Sequence, residues 1–368
     1  EVVAHGFSNP WGIDYDAKGQ LLISACVIPH LWHVIPGGIY QRQGGQHFNP
    51  YVYGDIQTIA DHRHRSAHGG ARVYQSDAFP ASQQGRLFMA NIHEHAVLSD
   101  VLTRKGSGFT ARHGEDFLLA NNAQWVGFSL EIGPEGALYV PDWHDADICG
   151  ADVLHQETGR IFRIMPKESA AEQWPSRYSD LRTMPDRELV ALQTSKSDWH
   201  ARRARVILQS RAVKGALGAQ THDELMQMFR TSANADWRLR AMWALHVTGG
   251  WTPDGLLSTL ADSDEYIRAW AVQLLTEDRA PAPKAVRIRR TPGFPDYRQT
   301  LHNQWGLSLA LESKAGAETR RASEPAERAP CVHGVPEPSA ERGHPCRAPC
   351  GRDRPRRSWT RGRTRCPY

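Results

Sequence analysis

The sequence predicts a multi-domain, β-then-α protein: a partial β-propeller, then stacked helices, then a disordered tail. Three observations carry that reading. A glycine-led strand phrase recurs in the first half, as GQLLIS from Gly19, GRLFMA from Gly85, GALYVP from Gly136 and GRIFRI from Gly159. A helical phrase with Asp at its start and Arg four residues on recurs later, as DWHARRAR from Asp198, DWRLRAMWAL from Asp236 and DEYIRAWAVQLL from Asp264. Beyond Leu311 the chain contains no Leu, Ile, Phe or Met.

Over residues 1–167, GIDYDAKGQLLIS and LEIGPEGALYV each place an apolar stretch, a polar turn with Gly and a second apolar stretch in order. That is a β-hairpin signature. The copies are irregularly spaced, so insertions separate them, as in a propeller with decorated blades. Short strands and Gly turns are also compatible with a two-layer sandwich. The polar connection KESAAEQWPSRYSD then opens a helical region over 168–285. Asp suits a helix N-terminus, and Arg one turn on can pair with it or with the Asp of a neighbouring unit. Trp237, Trp243 and Trp270 read as fillers between stacked helices. Residues 286–368 have too little apolar surface to offset chain entropy and read as disordered, with an Arg/Pro/Gly/Cys bias resembling translation in a shifted frame.

A chain of 368 residues that is 40% hydrophobic can build a core. The formal charge of +4 reflects the Arg-rich last fifty residues, so no structured basic stripe points to nucleic acid. Only Cys26 and Cys149 precede residue 330, and CRAPCG lacks the spacing and His of a haem-attachment motif. EVVAHGFSNP has neither a basic nor an apolar leader segment, which reads as an internal start and hence a fragment. The most apolar stretch, LLISACVIPHLWHVI, is interrupted by Pro29, His30 and His33, too early for a membrane-spanning helix.

The residues able to carry chemistry lie on loops between the predicted strands: ADHRHRSAHGG with His62, His64 and His68, ANIHEHAV with His93, and PDWHDADICG with Asp142, His144, Asp145 and Asp147. In a propeller such loops converge on one mouth of the central channel. A neutral imidazole could take a proton from a substrate hydroxyl while Arg63 stabilises the developing charge. Alternatively, two or three histidines with an Asp could bind a transition metal, since His62 and His64 at i, i+2 share one face of an extended segment. DWHDAD offers hard oxygens to Ca²⁺ but lacks the regular alternation of an EF-hand loop.

The phrases NPWGIDYDAKGQLLISACVIPHLWHVIPGGIYQRQGGQHFNPYVYGDIQTIADHRH, RLFMANIH, VLTRKGSGF, DFLLANN, GPEGALYVPDW and GRIFRI resemble the bacterial PVC-type membrane-bound dehydrogenase family. The resemblance runs through residues 1–167 and more loosely to about 283. It implies a propeller similar to quinoprotein glucose and sorbosone dehydrogenases, followed by HEAT-like repeats. The implied reaction is oxidation of a sugar or polyol hydroxyl with pyrroloquinoline quinone (PQQ) and Ca²⁺, in the periplasm or cell envelope. On that reading His62 or His64 is the base with Arg63 beside it, His68, His93, Asp142 and His144 line the cofactor, and Asp145 and Asp147 serve the metal. The helical repeats would receive a protein or electron-acceptor partner. Departures are a shortened run at RSAHGG, DWHD where the family has Asp-Trp-Tyr-Asp, and LHQETGRI without the usual Asp-Arg and Asn. The alternative is a non-catalytic propeller and HEAT module that binds glycan or protein.

Overall fold

The DYDAKGQ turn folds as its residues dictate. Asp16 accepts the backbone N–H groups of Lys18 and Gln20 at 2.9 and 2.8 Å, and Gly19 adopts a φ of +77°. β1 (Pro10–Tyr15) and β2 (Leu21–Ala25) therefore pair antiparallel, and β3 (Leu31–Val34) completes the first sheet. The computed structural model describes residues 2–45, 54–65, 67–145, 157–174 and 177–277. The predicted tail, Asp147, and the cysteines other than Cys26 lie outside the described residues.

The second sheet runs β4 (His68–Val73), β5 (Leu87–Asn91), β6 (Ala96–Lys105) and β7 (Gly108–His113), with β8 (Leu118–Leu119) also on β6. The third pairs β9 (Glu131–Ile132), β10 (Leu138–Asp142) and β11 (Arg160–Ile164). All four glycine-led phrases are strands, namely β2, β5, β10 and β11. Successive strand residues point to opposite faces, so β5 and β6 feed two cores at once. Leu87, Met89, Ala96 and Leu98 pack with Leu22 and Leu31 of the first sheet. Phe88, Ala90 and Val97 pack with Trp125, Leu138 and Val140 toward the third.

The β-rich region is thus three sheets stacked face to face, not two facing layers. Glycine permits the close approach of their first strands. A Cβ on Gly12 of β1 would stand 2.3 Å from the Ala71 nitrogen of β4, and one on Gly70 would stand 2.8 Å from the Leu130 nitrogen.

Helices follow: α1 (Asp186–Ala191), α2 (Asp198–Val213), α3 (Thr221–Thr231), α4 (Ala235–Val247), α5 (Pro253–Ser258) and α6 (Glu265–Thr276). They share one core, which includes Leu189, Leu208, Leu225, Leu245 and Ile267. Of the three repeated Asp residues only Asp264 caps its helix, accepting from the N–H groups of Tyr266 and Ile267. Asn234 takes that role for α4, because Asp236 already lies inside the first turn. Arg202 pairs with Asp198 in its own phrase, and Arg240 reaches the same Asp198 from the next. Arg268 bonds the carbonyls of Asp262 and Ser263 instead.

Trp243 and Trp270 fill against the helical core as expected, with ring centroids 5.2 Å apart, and they also meet the β-rich region. Gly19 of the β1–β2 turn presses on Trp243 and Trp270, the Trp270 indole N–H donates to the Lys18 carbonyl at 2.8 Å, and Lys18 pairs with Asp236. Trp237 is 38% exposed and lies outside the helical core. Arg202 donates to Asp14 of β1 at 2.7 Å and stacks over the Tyr15 ring, while Arg104 of β6 pairs with Glu265 of α6. The helices are thereby fixed to the β-rich region through charged and aromatic side chains.

Candidate metal centre

The histidine-rich stretch runs beside the first residue of β3 and is pinned on both sides. Ile59 donates to the Leu31 carbonyl, and Asp61 donates to the Ala111 carbonyl of β7. His62 and His64 both turn their rings toward β6, although the chain bends at Asp61 and His62. There Asp100, fully buried, sits between Leu87 of β5 and His113 of β7 in the register of the sheet. His30, in the β2–β3 connection, and His68, the first residue of β4, reach the same place from the first sheet and the second.

The geometry converges on Asp100. His62 Nε2 and His64 Nε2 each lie 3.1 Å from its Oδ1 and 3.0 Å from each other. His30 Nε2 is 3.1 Å from Oδ2. His30, His62, His64 and Asp100 each offer one ligand atom, and all four atoms lie within 4.8 Å of one another. His68 stacks on His30 at 4.6 Å between ring centroids, and the His113 ring stands 4.7 Å from that of His64. The cluster is dry on one side, with His30 and His68 fully buried, and opens at His62, whose side chain is 16% exposed.

Burial disfavours the Asp100 carboxylate, but the hydrogen bonds from His30, His62 and His64 outweigh it and hold the group far below the usual carboxylate range. For His30, burial dominates over the raising influence of Asp100 and lowers the imidazole pKa. For His62, burial is overcome by Asp100 and by Asp61, whose carboxylate lies 3.1 Å from Nδ1, so its pKa rises. Burial, reinforced by His30 and His64, pushes His68 down to about 3. Two buried nitrogens, His30 Nδ1 and His68 Nε2, have no hydrogen-bond partner among the described residues.

Two imidazole nitrogens and one carboxylate oxygen this close are held either by N–H groups along the edges of the triangle or by a cation between them. Imidazole with carboxylate is a donor set for divalent transition metals. Ca²⁺ takes six to eight oxygens, and this set supplies one carboxylate. PQQ carries several carboxylates and needs converging cations, yet Arg63 and Arg65 are exposed and neither side chain pairs with the cluster. The described residues of the cluster therefore fit a transition metal and do not fit PQQ with Ca²⁺.

Of the residues singled out by sequence, the structure brings His62, His64 and His68 together and adds His30, Asp100 and His113. His93 stands apart: its backbone N–H is held by Asn91 Oδ1, and its imidazole pKa is lowered by burial and Arg65. Asp142 is buried and occupied, bonding Arg160 through Oδ2 and the N–H groups of Val126 and His144 through Oδ1. His144 takes a φ of +55° and pairs with Thr158. Asp145 is buried in the same segment. Two of the missed residues did leave a signal: His30 interrupts an apolar run, and Asp100 interrupts the apolar HAVLSDVL strand.

Residues 1–168 match a domain of unknown function, DUF7133. No curated protein matches the chain. Among solved structures, one described as an oxidoreductase (glucose dehydrogenase) from Thermus thermophilus is similar at 24% identity and a TM-score of 0.34, over 44% of this chain and 46% of that one. Two further structures named glucose dehydrogenase match at 20% and 19% identity, each with a TM-score of 0.31. They cover 45% of this chain, and 42% and 46% of theirs. The chain thus spans less than half the length of each. No helix among the described residues is long and apolar enough to cross a membrane.

Proposed function

We propose that the β-rich region is a transition-metal centre, with the cation held by His62, His64 and Asp100 and with His30 locked to the second oxygen of Asp100. The observation that carries this reading is the triangle of ligand atoms spaced 3.0–3.1 Å apart around a buried carboxylate. The metal, open on the His62 side, engages the hydroxyl oxygen of a small polar substrate. A sugar or polyol is the substrate class, and the chemistry is of oxidoreductase type; the dehydrogenase-like sequence phrases support both. The same phrases support reading the three sheets as blades of a propeller, and a location in the periplasm or cell envelope.

Equilibrium dialysis of the full chain against Zn²⁺ or Co²⁺ tests the metal. One ion per chain is expected, lost in a His62→Ala/His64→Ala double variant. Equal uptake by both proteins would overturn the assignment. Reduction of a redox dye with aldoses and polyols, with the metal loaded, tests the substrate class.

One feature favours glycan binding as a second reading. Half-exposed Trp143 borders a cleft of about 310 Å³ with Phe128, Arg160 and Ile161, and half-exposed Trp11 stands edge-on to Phe128. A glycan array on wild type and Trp143→Ala separates the two readings.

A further inference from the structure

Resting on the metal reading above, we infer that His62, His64 and Asp100 occupy one face of an octahedron, so that a ferrous-type centre keeps neighbouring coordination positions open. Those positions take a small diatomic of the dioxygen class. The donor set of two imidazoles and one buried carboxylate carries this inference, and the spacing of the ligand atoms is compatible with it. A cation ~2.1 Å from each of three atoms that are themselves 3.0–3.1 Å apart sees them at about 90° to one another. A tetrahedral ion with the same bonds would need them about 3.4 Å apart. Three donors at right angles fill one face and leave the opposite one free. Two imidazoles and one carboxylate in that arrangement are the donor set of non-haem Fe(II) sites that activate oxygen.

The surrounding residues fit an open centre. His30 gives Nε2–H to Asp100 Oδ2, not to the oxygen that faces His62 and His64. It is a positioning residue, of the kind that orients a metal-bound carboxylate from behind. His68 offers a second, independent observation. Its Nδ1–H is directed at the Cys26 carbonyl, 3.3 Å away, so its fully buried Nε2 carries a lone pair with no donor. A buried acceptor left unmet is destabilising, and an O–H on a metal-bound ligand is the donor it lacks. Access is supplied where His62 and His113 reach the surface, their side chains 16% and 40% exposed.

The test uses the full chain loaded anaerobically with Co²⁺ and, separately, with Fe²⁺. The expected results are weak visible bands of six-coordinate Co²⁺ and, on adding nitric oxide to the Fe²⁺ form, the high-spin ferrous-nitrosyl signal in electron paramagnetic resonance. His30→Gln should bind metal about 10–100-fold more weakly yet still give the nitrosyl signal at saturating Fe²⁺. Intense four-coordinate Co²⁺ bands with no nitrosyl signal would overturn the open facial centre and leave the metal reading standing. Failure of the wild-type chain to take up either ion would end both.

Discussion

Replacing Asp100 with Asn keeps the shape of the side chain and removes the charge on which three imidazoles converge. With its amide oxygen facing His62 and His64, the new residue turns its NH₂ group to His30 Nε2, which lies 3.1 Å from the present Oδ2. That is donor against donor unless His30 moves its proton to Nδ1, which is buried without an acceptor. A hydrogen bond to a charged group contributes about 1.5–3 kcal/mol. The three bonds at Asp100 are coupled, and removing the buried charge returns part of their sum, so the net loss is about 3 kcal/mol. At about 2–4 °C per kcal/mol for a folded region of this size, metal-free Asp100→Asn should melt roughly 6–12 °C below wild type. Its affinity for Co²⁺ should fall at least about 100-fold, because a lost ligand costs more than a lost outer partner. Circular dichroism melts and equilibrium dialysis measure the two effects. A variant that matches wild type in both would refute the view that Asp100 is the hub of the site.

Four further outcomes are expected. Metal must displace the proton that Asp100 and Asp61 hold on His62, so Co²⁺ affinity should weaken as pH falls through a value above the ordinary imidazole pKa of about 6.5; affinity flat between about pH 5 and 8 would contradict this. Burial pushes His33 down to about 4; its contribution to stability is complete above the unfolded pKa of about 6.5 and is lost as pH falls through the folded value, so urea unfolding of His33→Phe should depend less on pH across that window. Arg202→Met takes the cation from the buried Asp14 carboxylate and leaves Asp198 to Arg240 alone, and should destabilise by about 3 kcal/mol, read as a lower denaturant midpoint. Gly12→Ala forces β1 from β4 and should cost about 1–3 kcal/mol, read as a lower Tm.

The sequence placed more of the fold than of the site. Glycine before an aliphatic pair marked β2, β5, β10 and β11, because each local pattern carries its own turn and its own apolar run. The Asp and Arg phrases marked α2, α4 and α6 for the same reason, and one-turn spacing anticipated the Arg202–Asp198 pair, whereas Arg240 reaches that Asp198 through helix packing. Cap identity was not: Asn234 displaced Asp236 because the chain entered α4 two residues earlier than the repeat suggested.

What the sequence by itself determined about the site is that His62 and His64 lie two residues apart, a spacing that shares one face on a strand, whereas the chain here bends at Asp61 and His62. Only the folded structure decided what they face. Asp100 lies 36 residues beyond His64, and it meets the two rings because β6 is held in register between β5 and β7 while the segment at Ala60 is pinned to Ala111. His30 arrives from a different sheet. Strand register and sheet stacking are long-range properties set by which apolar faces bury each other, so no local pattern could have announced that these residues share one carboxylate.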